Sequence, residues 1–444
     1  MDWALSHGLV KLGANGGVIH APFTLEPFPI DPAVCGRLAA LTPLYNRLAR
    51  RVAESLDFLS ETLGPAARDD PFLRRLLELA RASAGAQPLQ LAINRSDYFL
   101  VAGEGPGVWR ALQVELNTIA ASYAGLASRA QALHGYLAAG TPEAGRLLAN
   151  DPIAGLAEAL AAAWKRLGDP RRVCLFVLQP GERNVFDQRL LEFALRERGI
   201  GVVRHSLEEV GGQGSIREGK LAIGGHAVAV AYLRAGYGPG DYSSPDAWRG
   251  RELIERSDAV AVPTAAAQLA GSKKIQQVLS REEVLGRFCE ADEARALSGT
   301  FAGLYDPEEP VAMAEGALPA WRAALEFPQR FVLKPQREGG GNNLFDEEMT
   351  ALLRTSDAAE RAAYILMERI APAPRRSLMV SEGALRDGDS VSEIGRFGVL
   401  LADGETEHLN RDVGYLVRTK AADSREGGVS AGFGHLSSLI ESAE

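Results

Sequence analysis

A mixed α/β fold, combining α/β and α+β character, is predicted for this 444-residue chain by three patterns. Residues 31–85 place apolar side chains at helical spacing, as in Phe72, Leu76 and Leu79 with Arg74, Arg75 and Glu78 between them. From Arg172 the chain alternates strand, loop, helix and strand, the order of a parallel α/β unit. Beyond Arg330 it turns to strands joined by glycine-rich segments, with the turn signal Asp403-Gly404 between two of them.

Each element has a local reason. The helical segment 31–85 gives way to two short strands, 89–93 and 111–119. Strict alternation in the second sets Gln113, Glu115 and Asn117 on one face, with Val114 and Leu116 on the other. A second helical stretch, 127–167, is interrupted at Gly140-Thr-Pro142, where glycine and proline stop a helix. Strands are expected at 173–178, 202–205, 228–233 and 260–262, with a helix over 185–198. Ligands of such sheets bind beyond the carboxyl ends of the strands, where Gly181-Glu-Arg-Asn184 and Arg234-Ala-Gly-Tyr237 fall. The segment 221–226 reads as a hairpin with a Gly-Gly turn. Residues 214–220 imitate the start of a P-loop, but Leu221 replaces the required Ser or Thr and a strand follows, so the match is set aside. The last third predicts helices at 346–354 and 358–362 and strands at 363–370, 391–401 and 406–409. It ends in a basic, glycine-rich loop, 418–432.

The length allows two or three domains, since one core rarely exceeds about 250–300 residues. The expected division is 1–171, helical with strands; 172–272, a parallel α/β substrate-binding domain; and 273–444, with a lid at about 300–370 and the C-terminal loop. Hydrophobic residues make up 46% of the chain and charged residues 24%. No stretch approaches the roughly 18 apolar residues of a membrane span. The first residues, Met-Asp-Trp-Ala-Leu-Ser-His, lack the basic and apolar segments of a secretory signal, so a cytoplasmic location is expected. Cys35, Cys174 and Cys289 are odd in number and far apart, which favours reduced, mostly buried thiols over disulfides or a zinc site. A net charge of −9 opposes nucleic-acid binding. No His-Glu-x-x-His occurs, so any metal should be held by oxygen.

The chemistry concentrates at Arg330-Phe-Val-Leu-Lys334-Pro-Gln-Arg-Glu338-Gly-Gly-Gly341-Asn-Asn343. An apolar strand delivers Lys334, then breaks at three glycines that let backbone amides approach an anion, with Glu338 as an oxygen ligand for a metal. A plain hairpin with a glycine-rich turn accounts for the same residues. The cations Arg95, Lys273, Lys334, Arg418 and Lys420, with the oxygen donors Glu115, Asn117 and Glu338, suit a carboxylate attacking the γ-phosphate of a nucleotide. Without a local nucleophile signature, the activated intermediate would form on the substrate as an acyl phosphate.

Six motifs carry a resemblance: Ala92-Ile-Asn-Arg95-Ser-Asp-Tyr98, Glu115-Leu-Asn117-Thr-Ile119, Glu182-Arg-Asn184-Val-Phe-Asp-Gln188, Gln268-Leu-Ala-Gly-Ser-Lys273, the lysine and glycine run from Lys334 to Asn343, and Leu416-Val-Arg418-Thr-Lys420. In this order they resemble the glutathione synthetase family of the eukaryotic type, from Asp2-Trp-Ala-Leu5 to Gly432. The resemblance implies an ATP-grasp fold with a glycine-rich lid, and a homodimer. It implies a ligase that joins γ-glutamylcysteine to glycine with ATP and Mg²⁺. It makes Glu115, Asn117 and Glu338 the metal ligands. Lys273, Lys334, Glu338, Gly339, Gly340, Gly341, Asn342, Asn343, Met367, Glu368, Arg369, Ile370, Glu393 and Lys420 fall at ATP. Arg95, Ser122, Glu182, Asn184, Gln188, Arg234, Tyr237, Arg418, Val429 and Ser430 fall at the dipeptide or glycine. Arg95, Lys334 and Arg418 are the expected catalytic groups, and the C-terminal loop is expected to close over the substrate.

One departure stands out: Ala120-Ala121-Ser122 replaces the family's Ser-Ala-Ser. Plainer roles are open to several residues. Arg95 could pair with Asp97, Glu115 and Asn117 could face solvent from an edge strand, Met367 could be core, Glu393 a cross-strand ion-pair partner, and Arg418 with Lys420 a solvated loop pair. Another small acceptor, β-alanine or serine, and a nucleotide-binding protein without turnover are the competing functions.

Overall fold

A computed structural model describes residues 1–105, 108–314, 316–338, 341–424, 427–429 and 432–442. Its centre is a seven-stranded sheet in the order Arg375–Ser381, Phe23–Thr24, His435–Ser437, Thr406–Ala421, Ala384–Asp403, Leu89–Ala102 and Trp109–Asn117. The 20-residue strand Ala384–Asp403 pairs with Arg375–Ser381 along its first part and with Leu89–Ala102 along its second. Strands from both ends of the chain therefore share one sheet.

The helix Pro32–Glu54 packs on this sheet and leads into Leu56–Ala67 and Pro71–Ala82. Asp31 and Asp70 cap the first and third of these by accepting bonds from the backbone amides two and three residues on. The second helical stretch resolves into Ala124–Leu137 and Pro152–Arg166, broken where Gly140 takes a positive φ of 81°.

The parallel unit is present: Val173–Val177 lies between Val202–His205 and His226–Leu233, and Val260–Val262 pairs with the latter. Val173–Val177, residues 228–233 and Val260–Val262 are wholly buried, as strands covered on both faces are, while in the edge strand Val202–His205 only Val202 is buried. The false P-loop folds as the hairpin Ser215–Arg217 to Lys220–Ile223, and the expected Gly224-Gly225 turn follows, both glycines at positive φ. A third sheet orders Leu304–Tyr305, Tyr364–Glu368 and Phe331–Pro335, the last ending at the glycine run.

Three expectations are corrected. The first short strand does not end at residue 93 but runs to Ala102, so Arg95 and Asp97 stand on a strand. The basic segment at 418–420 is strand, not loop, because Thr406–Ala421 stays in register with Ala384–Asp403 as far as Ala421 opposite Ser390. Of the three free cysteines only Cys174 is buried, while Cys35 and Cys289 are partly exposed.

The helices Leu207–Gln213 and Pro245–Arg256 touch backbone to backbone at two glycines. A Cβ on Gly250 would stand 2.0 Å from Leu207 O, and one on Gly211 would stand 1.8 Å from Asp246 O. Gly250→Ala must push the helices apart. It is expected to cost about 2–3 kcal/mol, read as a lower urea midpoint, whereas Gly64→Ala, which meets nothing within 4 Å, should not lower it.

Candidate active site

Arg95 and Asp97, two apart on the strand Leu89–Ala102, point to the same side. They form a bidentate pair, Nε to Oδ1 at 2.7 Å and Nη2 to Oδ2 at 2.8 Å, with both side chains buried. Asp97 Oδ2 also accepts from Asn117 Nδ2 and Arg418 Nη2, each at 3.0 Å. Arg418 in turn pairs with Glu393, which faces it across the ladder. Gly395 makes room for this cluster, since a Cβ there would lie 2.4 Å from Asp97 Oδ1.

The strand Trp109–Asn117 breaks its own alternation. Asp97 pairs with Glu115 and Tyr98 with Gln113, so Val114 is an extra residue in a bulge. Gln113 consequently leaves the face expected for it. It is buried on the other side, donating to Ser96 Oγ and accepting from Gln276. Glu115 and Asn117 keep a common face. Val114 O accepts from Lys334 Nζ at 3.0 Å, and Lys273 Nζ lies 3.1 Å from Glu115 and 3.4 Å from Glu338. One ammonium is thus flanked by carboxylates from two distant segments.

These groups open on a cavity of about 730 Å³. Of the residues singled out from sequence, Arg95, Glu115, Asn117, Ser122, Glu182, Arg234, Tyr237, Lys273, Lys334, Glu338, Gly341, Asn343, Met367, Glu368, Arg369, Ile370, Glu393, Arg418 and Lys420 line it. Four do not. Asn184 and Gln188 are buried behind the wall: the Asn184 backbone amide and Gln188 Nε2 donate to the Glu182 carboxylate at 2.8 and 3.3 Å, and Asn184 Nδ2 donates to Asp187. Asn342 is exposed, and the carbonyl of buried Val429 accepts from Lys11. Gly339, Gly340 and Ser430 lie outside the described residues.

The Ala120–Tyr123 turn is strained, with φ of 51° at Ala120 and 73° at Tyr123. Contacts from several directions hold it. Arg95 donates to Ser122 O, Arg234 donates to Ser122 Oγ and Ala121 O, and Asp187 accepts from the amides of Tyr123 and Gly125. Sequence reasoning passed over Asp97, Asp187 and Arg337. Asp97 and Asp187 sit inside motifs singled out for their neighbours, and only the fold shows the remote partners that each of them also has.

Residues 1–440 match the family model described as eukaryotic glutathione synthase, ATP binding domain. The glutathione synthetase of Bos taurus is 42% identical and that of Homo sapiens 41%, each covering 97% of this chain and 93% of the relative. The chain belongs to the eukaryotic glutathione synthase family. It is accordingly an ATP-dependent ligase. A chloroplastic glutathione synthetase of Solanum lycopersicum is 39% identical over 95% of this chain and 78% of its own length. The fold is also that of a glutathione synthetase-like effector from Globodera pallida, with a TM-score of 0.79 at 22% identity, covering 99% of this chain and 95% of that one.

Within this glutathione synthase fold the two lysines differ in their electrostatics. Burial works against the charge of Lys273, but Glu115 and Glu338 outweigh it and raise its pKa. Burial likewise disfavours the Glu115 carboxylate, yet Lys273, Lys334 and Arg418 hold its pKa well below the usual range. Glu338 is shifted upward by burial, despite Lys273. Lys334, whose ammonium donates to a neutral carbonyl, is lowered by burial to about 8.

The unfolded chain keeps the Lys334 proton up to about 10.5, so between about pH 8 and 10.5 it binds more protons than the native state. Stability contributed by this group therefore rises with pH across that window. NMR of lysine labelled at the ε-carbon should show a ligand-free resonance titrating near pH 8. Persistence of that titration in Lys334→Met would refute the assignment.

Proposed function

We propose that the chain joins γ-glutamylcysteine to glycine with ATP and Mg²⁺, giving glutathione, ADP and phosphate through an acyl phosphate. The observation that carries this reading is the convergence of Glu115, Glu338, Lys273 and Lys334 at one cavity with the Arg95, Asp97 and Arg418 cluster.

The donors present fit magnesium. Glu115 and Glu338 are hard oxygen ligands converging on one point, and Asn117 commits Nδ2 to Asp97 and to Arg95 O, leaving Oδ1 as an acceptor. Among the described residues no three His, Cys, Asp or Glu side chains form a metal cluster. Two carboxylates, an amide and nucleotide oxygens are the kind of set Mg²⁺ uses. Bound there, the ion would supply charge neutralisation between the nucleotide phosphates and the attacking carboxylate.

The protein's own groups do the positioning. Lys273 and Lys334 would hold phosphate oxygens, and residues 339–343 would cover them. The segment Met367, Glu368, Arg369 and Ile370 would take the adenine, with Glu393 and Lys420 also on the nucleotide side. Arg95 and Arg418, already fixed by Asp97, would hold the dipeptide carboxylate in line with the γ-phosphate. Arg234, Ser122 and Tyr237 would bind the rest of the dipeptide, with Glu182 accepting from its ammonium group. Asn184 and Gln188 would act by fixing Glu182. In the second half, the free amine of glycine bonds to the acyl carbon, the bond from that carbon to the phosphate oxygen breaks, and the nitrogen gives up a proton as inorganic phosphate leaves.

The reading includes a cytoplasmic homodimer. The free cysteines favour a reducing compartment. Met1 and Leu385 are exposed, apolar surface that a second copy would cover.

Phosphate release from ATP and Mg²⁺ with γ-glutamylcysteine, assayed with glycine, β-alanine or serine while the product is weighed by mass spectrometry, tests the function. Glutathione formed stoichiometrically with phosphate is expected, glycine being the preferred amine. No turnover with any amine, from folded protein, would sink the ligase reading. Glu115→Gln should lower kcat by about 100-fold or more, and chelation of Mg²⁺ should abolish turnover. A Glu115→Gln enzyme with unchanged kcat and metal requirement would remove that residue from the site.

A further inference from the structure

The cavity wall holds a side chain whose partner lies outside it. Arg337 sits between Gln336 and Glu338, where the strand Phe331–Pro335 has ended and the Arg337 amide bonds back to Pro335 O at 2.8 Å. Its guanidinium turns toward the helix Pro71–Ala82. There it forms a short ion pair with Asp70 Oδ2, donates to Gln336 O at 2.7 Å, and lies 5.9 Å from the Phe72 ring centre.

Asp70 divides its two oxygens between two tasks. Oδ1 caps the helix, accepting from Phe72 N at 3.1 Å and Leu73 N at 3.2 Å, and Oδ2 takes Arg337. Phe72 in turn packs on Tyr242 and Trp248, which stack on each other at 3.9 Å, so the anchor rests on the parallel α/β unit. On the other side of Arg337, Gln336 Oε1 accepts from Lys274 N at 2.9 Å, next to Lys273. The residues just before Glu338 are thus pinned at two points, one on the Lys273 segment and one on Asp70.

We propose that the Asp70–Arg337 pair is the device that places the Glu338 carboxylate opposite Glu115, making Asp70 and Arg337 positioning residues for the metal that both carboxylates would share. The inference rests on the reading of Glu338 as a metal ligand. A ligand at the start of a glycine-rich segment has little local stiffness of its own, so an ion pair one residue away supplies the restraint that packing does not. The pair is partly sheltered, with 11% of the Asp70 side chain and 31% of the Arg337 side chain exposed, and the arginine is held by a carboxylate, a carbonyl and an aromatic ring together.

Asp70→Asn separates the two tasks of that residue. Asparagine caps a helix about as well as aspartate, so the helix keeps its cap while a neutral amide replaces the carboxylate facing Arg337. The experiment is calorimetric binding of the non-hydrolysable ATP analogue AMP-PNP to the full chain across a MgCl₂ series, for wild type, Asp70→Asn, Arg337→Gln and the double variant. Each single variant is expected to raise the Mg²⁺ concentration for half-maximal enhancement of binding about 10-fold, with Mg²⁺-free affinity unchanged and the double variant no worse than either single one. The urea midpoint of Asp70→Asn should match wild type, and in turnover kcat should fall without a change in KM for the dipeptide.

A wild-type Mg²⁺ response in Asp70→Asn would overturn the inference. So would additive losses in the double variant. Equal weakening with and without Mg²⁺ in Arg337→Gln, with Asp70→Asn silent, would make Arg337 a direct phosphate contact and overturn it too. Nucleotide binding by wild type with no Mg²⁺ dependence would instead strike the metal reading itself, visible before any variant is compared.

Discussion

A single buried carboxylate, Asp97, organises the site. Leaving it unpaired at 1% exposure would carry a cost of several kcal/mol, so the fold must bring it counter-charges and donors. It does so from three strands: Arg95 from its own, Asn117 from one neighbour, and Arg418 from the strand two places away on the other side. All three of those residues line the cavity. The requirement that Asp97 be satisfied therefore fixes the side chains that would meet a substrate anion, and fixes them before any ligand arrives.

Strand register gives the arrangement its precision. Asp97 stands opposite Glu115 on one side and Gly395 on the other, and Glu393 stands opposite Arg418. Glu115, Asp97 and Gly395 thus form one cross-strand row and Arg418 with Glu393 the row two residues away, and the glycine stands where a side chain would collide with Asp97. A one-residue slip of the strand carrying Gly395 would put a side chain against Asp97 and move Glu393 off Arg418. The bulge at Val114 serves the same end, since it turns Gln113 into the core yet keeps Glu115 and Asn117 on the cavity face.

Much of this was legible in the sequence, and the failures have definite physical causes. Lys334 and Glu338 were legible because a strand that runs into three glycines is an unusual local pattern. Glu115 and Asn117 were legible because two residues of alternation suffice to place them together. Gln113 was not, because period-two reasoning cannot register an extra residue. Arg418 and Lys420 were read as loop because glycines follow closely, while the ladder that makes them strand depends on partners at residues 391–393 whose extension toward Ala384 the sequence hides. Asp97 looked like a neutraliser of its neighbour. Its other two partners lie 20 and 321 residues away, and pairing at such separations leaves no local trace.

The two lysines show how the same burial yields opposite behaviour. Lys273 is held charged by two carboxylates within 3.5 Å, whereas Lys334 faces a neutral carbonyl, and the positive charge of Lys273 nearby adds to the cost of its own. Charge on Lys273 is thus supported by the protein, while charge on Lys334 is lost above about pH 8 unless an anion supports it. A polyphosphate beside Lys334 would provide the missing counter-charge and raise its pKa, so nucleotide binding above pH 8 would take up a proton at that nitrogen. Part of the binding energy would then be spent on protonating a lysine the fold leaves under-compensated. Above about pH 8 such a site carries less unbalanced positive charge while empty and regains its full cationic character around the phosphate whose transfer it serves.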